Sequence, residues 1–414
     1  MKKSVQSVNQ VNERYSIKNG IATMIVLSSS NAYFALFAIS VLGVSNYQIG
    51  LMNSLPQFIG MFAMVIGSFI LNRLPVKKKF TTFSFLYTRL FLLAMIFVVY
   101  LPIEMAGWVF VLLVGFMNLP GSFANLSWQS LIADLIPEKR RGDFFSERNK
   151  ILTIVGMVIT FLIGISLHFF DKSNPVPYQA IFLFAFLFGI AEIYFLQKHV
   201  EFKKSKRKIQ NKLQFGMGAF KHKPFFYFLI CGLFFNFAWQ MAWSLFSIFQ
   251  IKYALASGFW ISAMTVSSQI GQIISFKWWG RMAEKHSNAK MLILISIGMA
   301  LAPTLTILST NLIYLTIIFG FSGLFLSGTV LLLFNQLLEV TELKTRDSSI
   351  AIYNIMLAII GFVAPQFGVF LLDMVSMNFA MILSTVLRLS SGGLFFIFFL
   401  YLHKQEITRK RLVG

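Results

Sequence analysis

A single cysteine, Cys231, stands in 414 residues, which excludes a disulfide framework and any cysteine-based metal centre. Acids are scarce too. Fifteen Asp and Glu face 36 Lys and Arg, and charged residues of both signs make up only 12% of the chain, about half the fraction of an ordinary soluble domain. Five histidines are scattered without ligand spacing. No Gly-Lys-Ser/Thr phosphate loop is present, so ATP is not expected to drive this chain. No nucleophile elbow or Cys–His arrangement marks an enzyme. Neither a cofactor nor a metal is expected.

What fills the chain instead is hydrocarbon: 57% of residues are hydrophobic and 48 are Phe. A soluble globule must cover its outside with polar groups, and this composition cannot supply them. A cytosolic enzyme, a secreted module and a disordered chain are all excluded, and lipid must be part of the solvent. Stretches such as LFLLAMIFVVYL (90–101) and AIFLFAFLFGIAEIYFL (180–196) are continuously apolar. They predict helices rather than the alternating strands of a membrane β-barrel.

A bilayer core takes about 20 apolar residues per helix. On that scale spans are predicted near 21–43, 47–71, 80–101, 106–136, 150–170 and 178–198, then near 224–250, 257–281, 290–310, 311–339, 347–372 and 377–402. The expected fold is therefore an all-α membrane protein of twelve transmembrane helices in two six-helix bundles, 1–198 and 224–414. They are joined by a polar linker at 199–223, whose KLQFGMGAF piece (212–220) is amphipathic enough to lie on a membrane surface. Lys2 and Lys3 resemble the start of a signal peptide, but about fifteen polar residues follow, so the first span is expected to serve as its own insertion signal.

Loop charge sets the orientation. With both termini inside, the inner segments hold 31 Lys and Arg, and the outer loops hold only Lys172 and Lys252. The positive-inside rule then places both termini in the cytoplasm of a cell membrane. It also accounts for the excess of cations, so no nucleic-acid partner is expected.

Two loops of the first half recur in the second. DLIPEKRRGDFFSERN (134–149) matches EVTELKTRDSSIAIYN (339–354) at one offset, aligning Asp134 with Glu339, Arg141 with Arg346 and Asn149 with Asn354. SFILNRLPVKKK (68–79) likewise faces GRMAEKHSNAK (280–290). At these residues the chain resembles the major facilitator superfamily, whose loop reads Gly-x-x-x-Asp-Arg-x-Gly-Arg-Arg. The second copy matches it at Gly280, Glu284, Lys285 and Lys290, and the first more loosely with Ser68, Asn72, Arg73 and Lys77.

The resemblance implies a secondary active transporter working by alternating access, with a central cavity lined by spans one, two, four, five, seven, eight, ten and eleven. Spans three, six and twelve would be mainly supporting. The expected partners are a small organic solute, a proton or cation as coupling ion, and the bilayer, with the protein a monomer. Alternatives are a proton-coupled multidrug or metabolite exporter and, from another class, a non-transporting receptor or assembly partner on a transporter fold.

Polar groups at membrane depth face cavities or partner helices. The candidate solute-binding residues are Asn31, Asn53, Gln57, Asn125, Trp128, Asn236, Trp239, Gln240, Trp243, Gln269, Gln272, Asn335 and Gln336. Asn236, Trp239, Gln240 and Trp243 fall at i, i+3, i+4 and i+7, one face of a continuous helix. Cytoplasmic gating is expected of Arg73, Asp134, Arg141, Gly280, Arg281, Glu284, Lys285, Glu339 and Arg346. Asp134 would meet Arg73 or Arg141, and Glu339 or Glu284 would meet Arg346 or Arg281. Three charges lie deeper: Arg89, Glu192 and Arg388. Each buried arginine needs a partner, and Glu192 is the one clear acid within a span, hence also the candidate for proton coupling. Gly361, Pro365 and Gly368 make span eleven a bending element.

Overall fold

A computed structural model describes residues 2–74, 76–136, 140–201, 220, 222–342 and 345–413, the side chains of 2–9, 72, 347 and 406–413 excepted. All but one residue of the amphipathic piece expected in the linker lies outside the described residues. Most of those described are helical, with no strand among them. Eleven stretches are long and apolar enough to cross a bilayer. A further helix of 29 residues, Gly258–His286, coincides with the expected eighth span, and its Ser, Gln and basic residues make it less apolar than the others.

The chain folds into two compact units, Met1–Gln210 with Ala256–Ser262 and Asn211–Leu255 with Ala263–Gly414. The first unit contains α1 (Lys2–Ser30), α2 (Phe34–Ser40), α3 (Asn46–Arg73), α4 (Lys78–Ile96), α5 (Ile103–Leu135), α6 (Arg141–His168) and α7 (Pro175–Gln197). Here α3 and α4 pack on α5, α1 packs on α6 and α7, and α4 also meets α7. Phe34, Phe37, Phe110, Tyr178 and Phe182 interlock with ring centroids 5.0–6.3 Å apart, so part of the phenylalanine excess is core. Other large apolar side chains, such as Phe69, Tyr87, Leu187 and Tyr194, are exposed, as lipid-facing residues must be.

The second unit contains α8 (Lys223–Gln240), α9 (Trp243–Ile248), the greater part of α10 (Gly258–His286), α11 (Asn288–Ile307), α12 (Leu312–Glu339), α13 (Arg346–Met374) and α14 (Met377–Val413). Between α10 and α12 the backbones touch: a Cβ on Gly271 would run into the Gly320 carbonyl, and one on Gly323 into the Ser268 carbonyl. Small residues let membrane helices approach this closely. Despite Pro365, α13 runs as one helix.

Two expected spans are interrupted, both the first of their half. In the first unit the Ser29 and Ser30 hydroxyls donate to the Val26 carbonyl, at 3.1 and 2.8 Å, a side-chain competition that bends helices. A 3-10 turn, Asn31–Tyr33, follows before α2. In the second unit α8 stops at Gln240, and the Ala242 amide bonds the Trp239 carbonyl. The Ala238 carbonyl is thus left for Ser384 Oγ at 2.7 Å and Arg388 Nε at 3.3 Å. Arg388 Nη1 and Nη2 donate to the carbonyls of Met299, at 2.6 Å, and Trp239, at 3.1 Å. A buried cation with no acid beside it among the described residues is therefore saturated by backbone.

The internal repeat reappears as geometry. Arg141 Nη2 donates to the Ala133 carbonyl at 2.5 Å, and Arg346 Nη2 to that of Leu338 at 3.3 Å, each arginine closing the end of the helix before it, eight residues back. This corrects the expected ion pairs. Asp134 is bound by Lys77 at 2.7 Å and not by Arg73 or Arg141, whose geometry is that of a C-terminal cap. Glu339 accepts from Asn288 Nδ2 at 3.1 Å instead of meeting Arg346. In both halves the acid ties the end of one helix to the start of the helix after the matching loop. Arg73, Arg281, Glu284 and Lys285 are exposed, Gly280 is half-buried, and a Cβ at Gly280 would meet nothing.

Where α7 ends, the chain is clasped to the first unit. Asn12 exchanges two bonds with the Val200 backbone, and Glu201 accepts from the Lys77 and Lys78 amides at the start of α4. His199 is buried within this clasp, its Nε2 without a partner among the described residues. Burial holds its pKa below the ordinary 6.5, and Lys78 and Arg148 add repulsion, outweighing hydrogen bonds to the Leu196 and Phe195 backbone. The unfolded chain then takes the proton first, so stability falls as pH drops below 6.5. Thermal melts from pH 7.5 to 5 should show that decline, and His199→Gln should flatten it.

Candidate functional site

Within the first unit α1, α4, α5 and α6 enclose a cavity of about 420 Å³, in the range of small-molecule sites. Its wall is mixed. Apolar Met24, Leu27, Phe85, Leu92, Met117 and Leu152 alternate with Asn19, Thr23, Ser30, Asn31, Asn118, Ser122, Asn125, Trp128, Arg89 and Arg148. Of the expected binding residues in this half, Asn31, Asn125 and Trp128 line it, while Asn53 and Gln57 do not. Arg89 and three neighbours bring α4, the third span, into the wall.

Arg89 stands on one side, with Glu192 buried behind it. Arg89 Nη2 and Nε lie 2.7 and 2.8 Å from Glu192 Oε2, and Thr23 Oγ1 donates to Oε1 at 2.6 Å. Asn19 Nδ2 donates to the Glu192 carbonyl at 2.9 Å. Both carboxylate oxygens are therefore engaged, and Glu192 is fully buried. A Cβ at Gly189 would fall 2.6 Å from Arg89 Cγ, so the missing side chain makes room for the arginine stem. A buried pair is tolerable only when its remaining lone pairs are met in this way.

On the other side Arg148 stacks over Trp128, guanidinium carbon to ring centroid 4.3 Å. Its one acceptor among the described residues is the Ser16 carbonyl, at 3.4 Å from Nε. Trp128 Nε1 is buried with no partner among the described residues. Arg148 escaped the sequence reading because it sits among loop cations. Its signal is periodic: Phe144, Arg148, Leu152, Gly156, Thr160 and Gly164 repeat every fourth residue and are all buried.

The second-half candidates behave differently. Asn236 and Gln240 are buried. Asn236 Nδ2 donates to the Gly232 carbonyl at 2.8 Å and lies 3.5 Å from the Tyr353 hydroxyl, and Gln240 Nε2 reaches Asn236 Oδ1 at 3.4 Å. Two of these bonds stay within α8 and one crosses to α13, so the buried amides face the interior of the unit, and the expected stripe, which assumed a helix continuous past Gln240, is broken there. Trp239 and Trp243 meet edge-on at 5.6 Å across the break. Gln336 is fully buried, Gln272 Nε2 donates to the Ser268 carbonyl at 3.4 Å, and Gln269 and Asn335 are half-buried.

The sequence profile of the Major Facilitator Superfamily matches residues 19–278 and again 228–413. The chain belongs to the major facilitator superfamily. As a member it is a multi-pass membrane protein and a secondary transporter, not an enzyme. Solved structures of superfamily transporters share its fold. The nucleoside transporter NupG is 14% identical with a TM-score of 0.71, covering 94% of this chain and 98% of its own. A bacterial homologue of the iron transporter ferroportin, in an inward-facing state, is 14% identical with a TM-score of 0.70 over 93% and 98%. The D-xylose–proton symporter is 14% identical with a TM-score of 0.66 over 95% and 98%. No curated protein matches this chain in sequence.

Proposed function

We propose that this superfamily member carries a small organic solute across the cell membrane by alternating access, with both termini cytoplasmic, and that the first-unit cavity receives the solute. The observation that carries this reading is the wall itself. Amide, hydroxyl, indole and guanidinium groups surround an open volume within helices long enough to span a bilayer, where such groups are costly unless water or cargo meets them. The division into bundles at 199–223 and a monomeric state belong to the same proposal. A proton or cation as coupling ion accords with the D-xylose–proton symporter among the fold relatives.

Cys231 is buried, so a Cys231→Ala background gives a clean reporter. Single cysteines at Asn31 and Asn118 should react with membrane-impermeant maleimides from both sides of a vesicle in turn. Reactivity from one side alone, under every solute and pH condition, would remove alternating access through this cavity.

A further inference from the structure

The arginines of this protein differ in how their donors are used. Arg89 gives two bonds to a carboxylate, Arg388 gives three to carbonyls, and Arg141 gives two to carbonyls. Arg148 is buried too, 8% exposed against 3% for Arg89 and 0% for Arg388, yet among the described residues it makes one bond, at 3.4 Å. A guanidinium offers five N–H donors, and no carboxylate pairs with this one among the described residues. An arginine kept only to hold α1 against α6 would spend its donors on protein acceptors, as Arg388 does. A Cβ at Gly20 would sit 2.6 Å from Arg148 Nη2, so α1 has left space for the head group, which lines the cavity.

The group packed against it has the same polarity. Glu192 neutralises Arg89 within the cavity wall, so the wall's uncompensated charge is that of Arg148. Trp128 adds an N–H with no acceptor among the described residues. Asn125 Oδ1 already accepts from Gln129, so its Nδ2 is left to donate, whereas Asn118 spends its Nδ2 on the Val114 carbonyl and presents an acceptor farther along α5. At Arg148 and Trp128 themselves the unmet capacity is donor capacity. The indole ring beneath the guanidinium carbon supports the cation without using its N–H donors, which leaves them for a carboxylate or phosphate.

We propose that the cargo is an organic anion whose carboxylate or phosphate group is received by Arg148 over the Trp128 ring. The proposal rests on the cavity being the solute site.

Thermal unfolding of the purified full-length protein tests it with matched probes at equal millimolar concentration. Benzoate is set beside benzamide, malate beside malamide, phenyl phosphate beside benzyl alcohol, and uridine monophosphate beside uridine. At least one anion should raise the midpoint by about 2 °C or more while its neutral counterpart does not. The carboxylate and phosphate arms show which anion is preferred. The shift should vanish in Arg148→Gln and persist, reduced, in Arg148→Lys, with elution volume and circular dichroism confirming that both fold. A Gly121→Leu variant fills the cavity from α5 and should also abolish it. Stabilisation by neutral probes alone, or by none, overturns the proposal on the unmutated protein. A shift lost in Gly121→Leu but intact in Arg148→Gln leaves the cavity as the solute site and refutes the anion. A shift intact in Gly121→Leu refutes the cavity as well.

Discussion

Glu192→Gln should cost the folded protein about 3–5 kcal/mol, because it strands Arg89 as an unpaired buried cation. Arg89 and Glu192 are both inside the first unit, with side chains 4% and 0% exposed. Glutamine keeps the shape and one acceptor but removes the charge that balances the guanidinium. Thermal melts in detergent give the size of the loss. The double variant Arg89→Leu with Glu192→Leu should recover most of it, since two apolar side chains avoid the desolvation that the ion pair has to offset. Transport by that double variant then separates two roles. Retained solute flux with retained pH dependence assigns the pair to architecture. Flux that loses its pH dependence makes Glu192 the coupling carboxylate.

Arg388→Lys is expected to be nearly as damaging, although it preserves the charge. Three N–H groups of Arg388 reach carbonyls of α8 and α11 in three directions. An ammonium on a flexible stem cannot span that fork. Hydrogen bonds to charged groups contribute about 1.5–3 kcal/mol each, so losing two gives about 3–6 kcal/mol. The midpoint of unfolding measures it. A Lys variant as stable as the parent would mean that the carbonyls are satisfied by water or by a shift of α8.

These expectations show where sequence suffices. Hydropathy located the spans because lipid imposes one requirement, about 20 apolar residues, on each crossing. The loop repeat at Arg141 and Arg346 was visible as residue identity and returns as two matching helix caps. Partner choice was not visible. Asp134 takes Lys77 and Glu339 takes Asn288 because the helix after each matching loop begins beside these acids, and no spacing rule encodes that adjacency. The aromatic stripe from Asn236 to Trp243 failed as a continuous face because helical periodicity was extended through a break. The break depends on carbonyl acceptors 150 residues from the arginine that caps them. Arg148 was legible in principle, as one member of an i, i+4 row of α6, but loop charge counting absorbed it.

The two interrupted helices have a mechanical consequence. A discontinuity in a membrane helix is an obvious place for a hinge, yet both of these are braced. Tyr33, fully buried, donates its hydroxyl to the Thr160 carbonyl of α6 at 2.5 Å. In the other unit Arg388 rivets the α8 corner to α11 and α14, and Gly368 of α13 lies so close to the Met241 carbonyl that a Cβ there has no room. Each corner is a welded elbow: it transmits rotation of its helix to its neighbours without absorbing any. Flexing during a transport cycle therefore belongs to segments that lack such bracing.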